Sequence, residues 1–574
     1  MNMKRFFIWL AVIVGIFFIF ILVAYLFISS FFDTEPIVEN NSYVLMQVGG
    51  GIEEYHPPDP LQEHFRGIAI DLKKIRQSLK MAAVDDRIKG VILEIGFMQT
   101  GFAKIQEIHQ IISRYRESGK KILAYLEYGT TRDYYLASAC DSIFIQPGGT
   151  LLLTGLFAEV TFYKGLFDKI GVEADFEHVG KYKSAPEIYT QQTMSAAQRE
   201  VINEILDARY SEIISMIAQK RHLSPDRVRN LINNVSGFSA QEALENGLID
   251  GIKFLDEIKA SVVKNGKDLL KKINAVEYSR ISPSSIGLEE GPLVAVIYCS
   301  GTIAGGEDTS NPYFGNILGA NRVIRNIEHA VKSKSIKAIV LRIDSPGGSG
   351  IASDQIWYTV DKAKKKKPVI ASISDVGASG GYYMALPADT IIAQKLSLIG
   401  SIGVFAGKFS INKLYSKLGL NTVSLQRGEN AKLFSLTSKF SDSERRVVKK
   451  IIEEYYANFV QKVAQSRDIP IPQTNTIAQG RVWMGKTGKE LGLIDLIGGL
   501  DEAIETAKEL ANIDNNIDVR LVYYPRSSSF LTQFLRNISL TSETIISPLQ
   551  QLENYLMEIQ TFPLAIMPFF INCN

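Results

Sequence analysis

Cysteine is scarce in this chain. Cys140, Cys299 and Cys573 are the three among 574 residues. So few and so scattered, they exclude a disulfide framework and any thiolate metal spacing, and no cofactor motif is present. A surplus of one charge is also lacking. Lys and Arg number 63 against 61 Asp and Glu, a net +2. That balance excludes the basic footprint of a nucleic-acid binder. Histidine is sparse too: His56, His64, His109, His178, His222 and His329 are all there are, and none follows residue 329.

One uncharged apolar run is long enough to cross a bilayer, residues 6–32. Lys4 and Arg5 precede it and Asp33 is the first charge after it. The basic flank predicts a cytoplasmic N-terminus with the remainder outside. The run exceeds a signal-peptide core and no small-x-small cleavage site follows, so a retained signal anchor is expected, with a cleaved signal peptide as the alternative. A chain of 574 residues is too long for one core and predicts two large domains.

Those two domains are copies of one unit. Tyr134-Tyr135 recurs as Tyr382-Tyr383, an offset of 248, and Ile88-Lys89, Leu93, Gly155, Phe157-Ala158, Lys169, Gly171 and Gly180 recur at the same offset. Gly247-Leu-Ile-Asp250 recurs as Gly492-Leu-Ile-Asp495, three residues short of it. Chance does not hold one offset across so many separate matches. In each copy short apolar strands alternate with amphipathic helices, which predicts an α/β fold with a parallel sheet and crossover helices. In the second copy residues 293–297, 338–343, 369–373 and 390–393 read as strands, and 321–332 and 353–365 as helices. Helices are also expected at about 195–218 and 441–466. The expected organisation is an anchor at 1–33, a first copy at 34–281, a second at 282–522, and an apolar tail at 523–574. That tail, broken by prolines, lies on a bilayer surface or packs under the domains.

The second copy carries two glycine turns that the first has lost. One is Gly377-Ala-Ser379-Gly380-Gly381, between an apolar strand and a short helix ending by Pro387. The glycines let the backbone turn sharply and let another group come close. A serine at such a helix start has backbone N–H groups nearby that can stabilise an oxyanion. The stretch alone leaves a helix-capping serine as an equal reading. The other turn is Asp344-Ser-Pro-Gly347-Gly348-Ser349. The first copy has Thr131, Arg132 and Asp133 in place of Ser379, Gly380 and Gly381, and Gly96-Phe-Met-Gln-Thr-Gly101 in place of the second turn. A purely structural turn has little reason to differ in this way, so the asymmetry points to chemistry at Ser379.

A nucleophilic serine needs a base. Gly377-Ala-Ser379-Gly-Gly381 fits the G-x-S-x-G elbow formally, but that fold's triad needs a histidine after the serine, and there is none. His329 reads as structural. Lysine becomes the candidate, provided it is desolvated enough to be neutral. Spacing does not choose among the lysines. Gly180-Lys-Tyr-Lys183-Ser-Ala-Pro-Glu187 stands out in the first copy, where the second has Ala431 at the matching position and Lys432 one residue out of step.

Taken together, these motifs resemble the signal peptide peptidase A family, also called protease IV, in its long double-domain form. The resemblance covers nearly the whole chain and includes Gly400-Ser401-Ile-Gly403. It implies tandem crotonase/Clp-protease-like domains behind one transmembrane helix. It implies a serine endopeptidase with Ser379 as nucleophile and Lys183 as general base, Gly380 and Gly347 N–H groups as oxyanion hole, and Ser401 orienting the lysine. It further implies a homotetramer on the membrane that degrades cleaved signal peptides and unfolded apolar peptides, with no cofactor or metal. The expected place is the inner membrane, with the catalytic body on the periplasmic side. Two other readings share features: a crotonase-type acyl-CoA enzyme shares the fold, and a non-catalytic membrane scaffold shares the anchor. The anchor argues against the first, since CoA is cytosolic, and the intact second-copy glycines argue against the second.

Overall fold

A computed structural model describes residues 35–57, 70–263, 270–311, 315–526 and 564–567, with six single positions between 9 and 19. Among the described residues no helix is long and apolar enough to cross a membrane. The apolar run 6–32 lies almost wholly outside them.

Each copy builds its own sheet. In the first, six parallel strands run in the order Lys272–Asn274, Ser42–Gly50, Ile88–Met98, Lys121–Leu126, Ser142–Ile145, Gly251–Ile252. In the second, Val369–Ala378 and Ile336–Ser345 lie at the centre, with Leu293–Ser300 and Arg520–Tyr524 to one side and Leu398–Gly400 to the other. Helices cover both faces, so the central strands are continuous aliphatic runs: Ala338 to Ile343 is wholly buried. The predicted strands and helices are all present, and several run further than expected. Val369–Ala378 extends five residues beyond 373 and delivers the chain directly to Ser379. Arg520–Tyr524 carries the second copy's sheet past residue 522, so Tyr523 and Tyr524 belong to the body and not to a tail. Tyr524 Oη lies 2.8 Å from His329 Nδ1 and stabilises that helix, giving His329 the partner its sequence context did not reveal.

The duplication is close enough to repeat individual hydrogen bonds. Tyr134 Oη donates to Leu248 O at 2.5 Å, and Tyr382 Oη to Leu493 O at 2.6 Å. Asp250 accepts from Ile143 N at 2.8 Å, and Asp495 from Ile391 N at 2.7 Å. These buried tyrosines and paired aspartates close the end of each sheet the same way.

Two contacts join the copies and thereby position the site. First, Glu173–Val179 of the first copy pairs antiparallel with Val404–Ser410 of the second, from Val404↔Val179 to Ser410↔Glu173. Second, a buried ionic cluster bridges the halves. Arg342, fully buried, donates to Glu54 at 2.7 Å and to Glu107 at 2.6 Å, both from the first copy. Burial alone would raise the Glu54 carboxyl, but the Arg342 guanidinium and the Lys104 ammonium outweigh it and hold it at about 2. Lys104 also reaches across to Asp344 at 3.1 Å, at the base of the second glycine turn. Removing one member of such a buried set leaves an uncompensated charge and costs about 3–5 kcal/mol.

Candidate active site

The serine sits where the sheet ends. Ser379 follows the central strand and caps the helix Gly380–Ala385 with φ 55° and ψ −115°, a left-handed conformation rare for a residue bearing a Cβ. Its N–H donates to Gly400 O at 2.7 Å and its C=O accepts from Tyr383 N at 2.8 Å, so the backbone on both sides is held. Glycine is required beside it. A Cβ on Gly381 would lie 2.5 Å from Ser345 O, because the two glycine turns are packed backbone to backbone. In the first copy Asp133 fills that room, capping its own helix by accepting from Thr130 N at 2.7 Å.

The lysine arrives from the other copy. The turn before Lys183 is clamped by the second copy, Tyr182 N donating to Gln479 O at 2.8 Å. From there the side chain runs inward and is 0% exposed. It passes between two glycines: a Cβ on Gly480 would lie 2.6 Å from Lys183 Cβ, and one on Gly403 3.2 Å from Lys183 Cδ. Lys183 Nζ ends 2.8 Å from Ser379 Oγ, 3.0 Å from Ser401 Oγ and 3.2 Å from Ser401 O. Burial pulls its pKa well below the ordinary lysine range, and no carboxylate opposes that pull. An amine so placed can be neutral and can take a proton from the hydroxyl beside it.

The residues singled out in the sequence are therefore brought together, with one difference. The Gly347 N–H is not free: it donates to Ser345 Oγ at 3.2 Å, while that hydroxyl donates to Gly301 O at 2.7 Å. A long bond to a neutral hydroxyl yields to a charged acceptor, whose bonds are about twice as strong. Gly380 supplies the first N–H of its helix, beside Ser379. Lys432 takes no part; its carbonyl accepts from Lys408 Nζ at 3.0 Å. Gly480 and Gln479 escaped the sequence reading. Their only trace there was the shortened repeat offset between Gly428 and Gly492, which does not single out a residue. Burial raises the Cys140 thiol, and brings that of Cys299 to about 12, so neither is a rival nucleophile.

One more strand completes the surroundings. Leu564–Ile566, from the tail, lies antiparallel on Gly347–Ser349, pairing Gly347↔Ile566 and Ser349↔Leu564. Met567 N donates to Pro346 O at 2.6 Å, and Leu564 is buried with Ala185 and Phe405. This part of the tail packs into the body, as one of the two expectations had it.

Tandem α/β halves, with a buried serine on a strained turn facing an amine from the other half, are the build of a serine peptidase. Comparison with known proteins agrees. The model of peptidase family S49 matches residues 114–269 and 361–514, once in each copy and together more than half the chain, and the chain belongs to that family. A chloroplastic serine protease SPPA of Arabidopsis thaliana is 35% identical over 87% of this chain and 74% of its own length. Protease 4 of Salmonella typhi is 30% identical over 79% of this chain and 73% of its own. A solved structure, that of a lysine-to-alanine mutant of the 1510-N membrane-bound stomatin-specific protease in complex with a substrate peptide, aligns over 44% of this chain and 99% of its own at 17% identity with a TM-score of 0.26.

Proposed function

We propose that this serine peptidase works through a Ser379/Lys183 dyad assembled from both copies, and that it degrades cleaved signal peptides and other unfolded apolar peptides at a membrane. The observation that carries it is the 2.8 Å approach of Lys183 Nζ to Ser379 Oγ with no acid beside the amine. Neutral Lys183 takes the Ser379 proton as Oγ attacks the peptide carbonyl. The Gly380 and Gly347 N–H groups receive the oxyanion, Gly347 letting go of Ser345. Lys183, now protonated and held by Ser401, then gives its proton to the leaving amine. Water repeats the sequence on the acyl-enzyme. The halves carry the crotonase/Clp-protease-like fold that the family resemblance implies.

The peptide reading is supported by the strand Leu564–Ile566. A segment of extended chain lies on the glycine turn by main-chain pairing, with an aliphatic side chain against Phe405. That is how an unfolded substrate with small or aliphatic residues is taken up, whereas a folded protein offers no free strand. Residues 6–32 then serve as an N-in anchor in the inner membrane, with the body on the periplasmic side as a homotetramer.

The test is cleavage of a peptide library by the full chain, wild type against Ser379→Ala, together with labelling by a fluorophosphonate. Ser379→Ala should remain folded, lose turnover and lose the label. Turnover at the wild-type level in folded Ser379→Ala overturns the reading. A reporter fused after Asp33 should be active only if exported; activity in the cytoplasm would reverse the topology.

A further inference from the structure

The contact between the two copies within the chain has an unused twin. Within the chain, Glu173–Val179 of the first copy pairs with Val404–Ser410 of the second. By the 248-residue repeat, residues 421–427 are the counterpart of the former strand, and residues 156–162 the counterpart of the latter. Among the described residues neither counterpart belongs to a sheet. Both lie at the surface. All of 421–427 is exposed, with Val423 at 88% and Leu425 at 91%. Phe157 is 47% exposed, although its counterpart Phe405 is 6% exposed. An extended stretch that shows alternate apolar residues to water is a pairing edge, which proteins do not leave open.

We infer that residues 421–427 of one copy of this chain pair antiparallel with residues 156–162 of a second copy, repeating between chains the contact that joins the halves within one. The transferred register offers a check that was not built in. Applied to the observed pairs Ala406↔Glu177 and Lys408↔Asp175, it sets Ala158 opposite Leu425 and Val160 opposite Val423. Apolar side chains thus meet apolar side chains on one face, although the residues they replace are different. The neighbouring helix repeats the match. In the chain, Leu414 N, near the start of the helix Asn412–Lys417, donates to Gly171 O at 2.9 Å, and a Cβ on Gly171 would lie 2.7 Å from Leu414 N. Their counterparts are Leu166, 53% exposed, and Gly419, whose φ is +74° and around whose Cβ position there is open space. A second chain supplies what is missing from each.

The contact is head-to-tail: each chain offers one donor segment and one acceptor segment. Such contacts close into rings when the rotation allows. The inference names the surface behind the homo-oligomer proposed above, and it stands whether or not Lys183 and Ser379 form a catalytic pair.

The experiment is disulfide trapping on the full chain in detergent, with Cys573→Ser as background. Val160→Cys and Val423→Cys combined, treated with a mild thiol oxidant, should give a reducible ladder of multimers. Either cysteine alone should give none, because 160 meets 423 and not itself. Val423→Asp with Leu425→Asp should lower the native mass and leave the circular dichroism spectrum unchanged, since both side chains are exposed in the single chain. Four results overturn the inference: a disulfide only within one chain, equal trapping by a single cysteine, no trapping in a protein that runs as an oligomer, or a monomeric wild type. Fluorophosphonate labelling of the same samples separates failure of this interface from failure of the dyad.

Discussion

Replacing Lys183 by Met removes the amine and keeps the bulk of the side chain. Met suits the slot between Gly480 and Gly403, where a Cβ on either would crowd the lysine stem at 2.6 and 3.2 Å. Two effects follow. General-base help is worth about 10²–10⁴ in rate. Where serine and base act as a unit, losing either costs nearly as much as losing both, so a fall of about 10⁴-fold or more in kcat/KM is expected. The second effect is on pH. The folded-state pKa of Lys183 is depressed by burial. The unfolded chain therefore holds a proton on this lysine that the folded chain has released, over the window from the depressed pKa up to the ordinary ~10.4. Across that window stability rises with pH, each unit of depression amounting to about 1.4 kcal/mol. The wild type should gain stability from pH 6 to pH 9 relative to Lys183→Met, and its kcat/KM should climb with pH as the amine loses its proton. Fluorogenic peptide hydrolysis and thermal melts at several pH values read both effects. Lys183→Arg should be equally inactive, because guanidinium stays protonated. A Lys183→Met enzyme keeping a tenth of wild-type activity, or a dead Lys432→Ala beside an active Lys183→Met, would refute the assignment.

Three further changes test the surroundings. Gly480→Ala places a methyl 2.6 Å from Lys183 Cβ at a residue with φ +75°, so activity should fall more than about 100-fold, the ~1 Å misplacement penalty, in a protein that still folds; unchanged kcat would show that the lysine does not need that slot. Ser401→Ala removes the hydroxyl 3.0 Å from Nζ, a bond worth about 1 kcal/mol, so a roughly 5-fold loss in kcat with KM unchanged is expected from steady-state kinetics. Arg342→Met leaves Glu54 and Glu107 buried without their partner and should destabilise by about 3–5 kcal/mol in denaturant unfolding, and an unaltered midpoint would mean that the cluster does not bind the halves together.

Much of the fold is legible in the sequence because parallel strands buried on both faces must be aliphatic runs, and the repeat doubles every signal. Ser379 is legible because only the second copy keeps Gly380 and Gly381; the packing of Gly381 against Ser345 O gives that difference its physical meaning. Lys183 is another matter. Its residues read as an exposed loop lysine as readily as a base, and the family resemblance, not spacing, selected it. Arg342 gave no sign at all, since its partners Glu54 and Glu107 lie 288 and 235 residues away.

By itself the sequence determined the duplication, the alternation of strand and helix, the place of the glycine turns, and the absence of a histidine base. Those are local or periodic properties, set by side-chain burial and by backbone freedom over a few residues. Only the tertiary structure decided that the amine of one copy meets the hydroxyl of the other across 196 residues at 2.8 Å. It alone decided that Gly347 N–H is held by Ser345 and that a strand from the tail lies on the glycine turn. Each of these depends on how Glu173–Val179 docks on Val404–Ser410, a pairing between segments that carry no mark of each other in the chain. Contacts of that kind follow from the joint packing of two cores, which no single stretch of sequence contains.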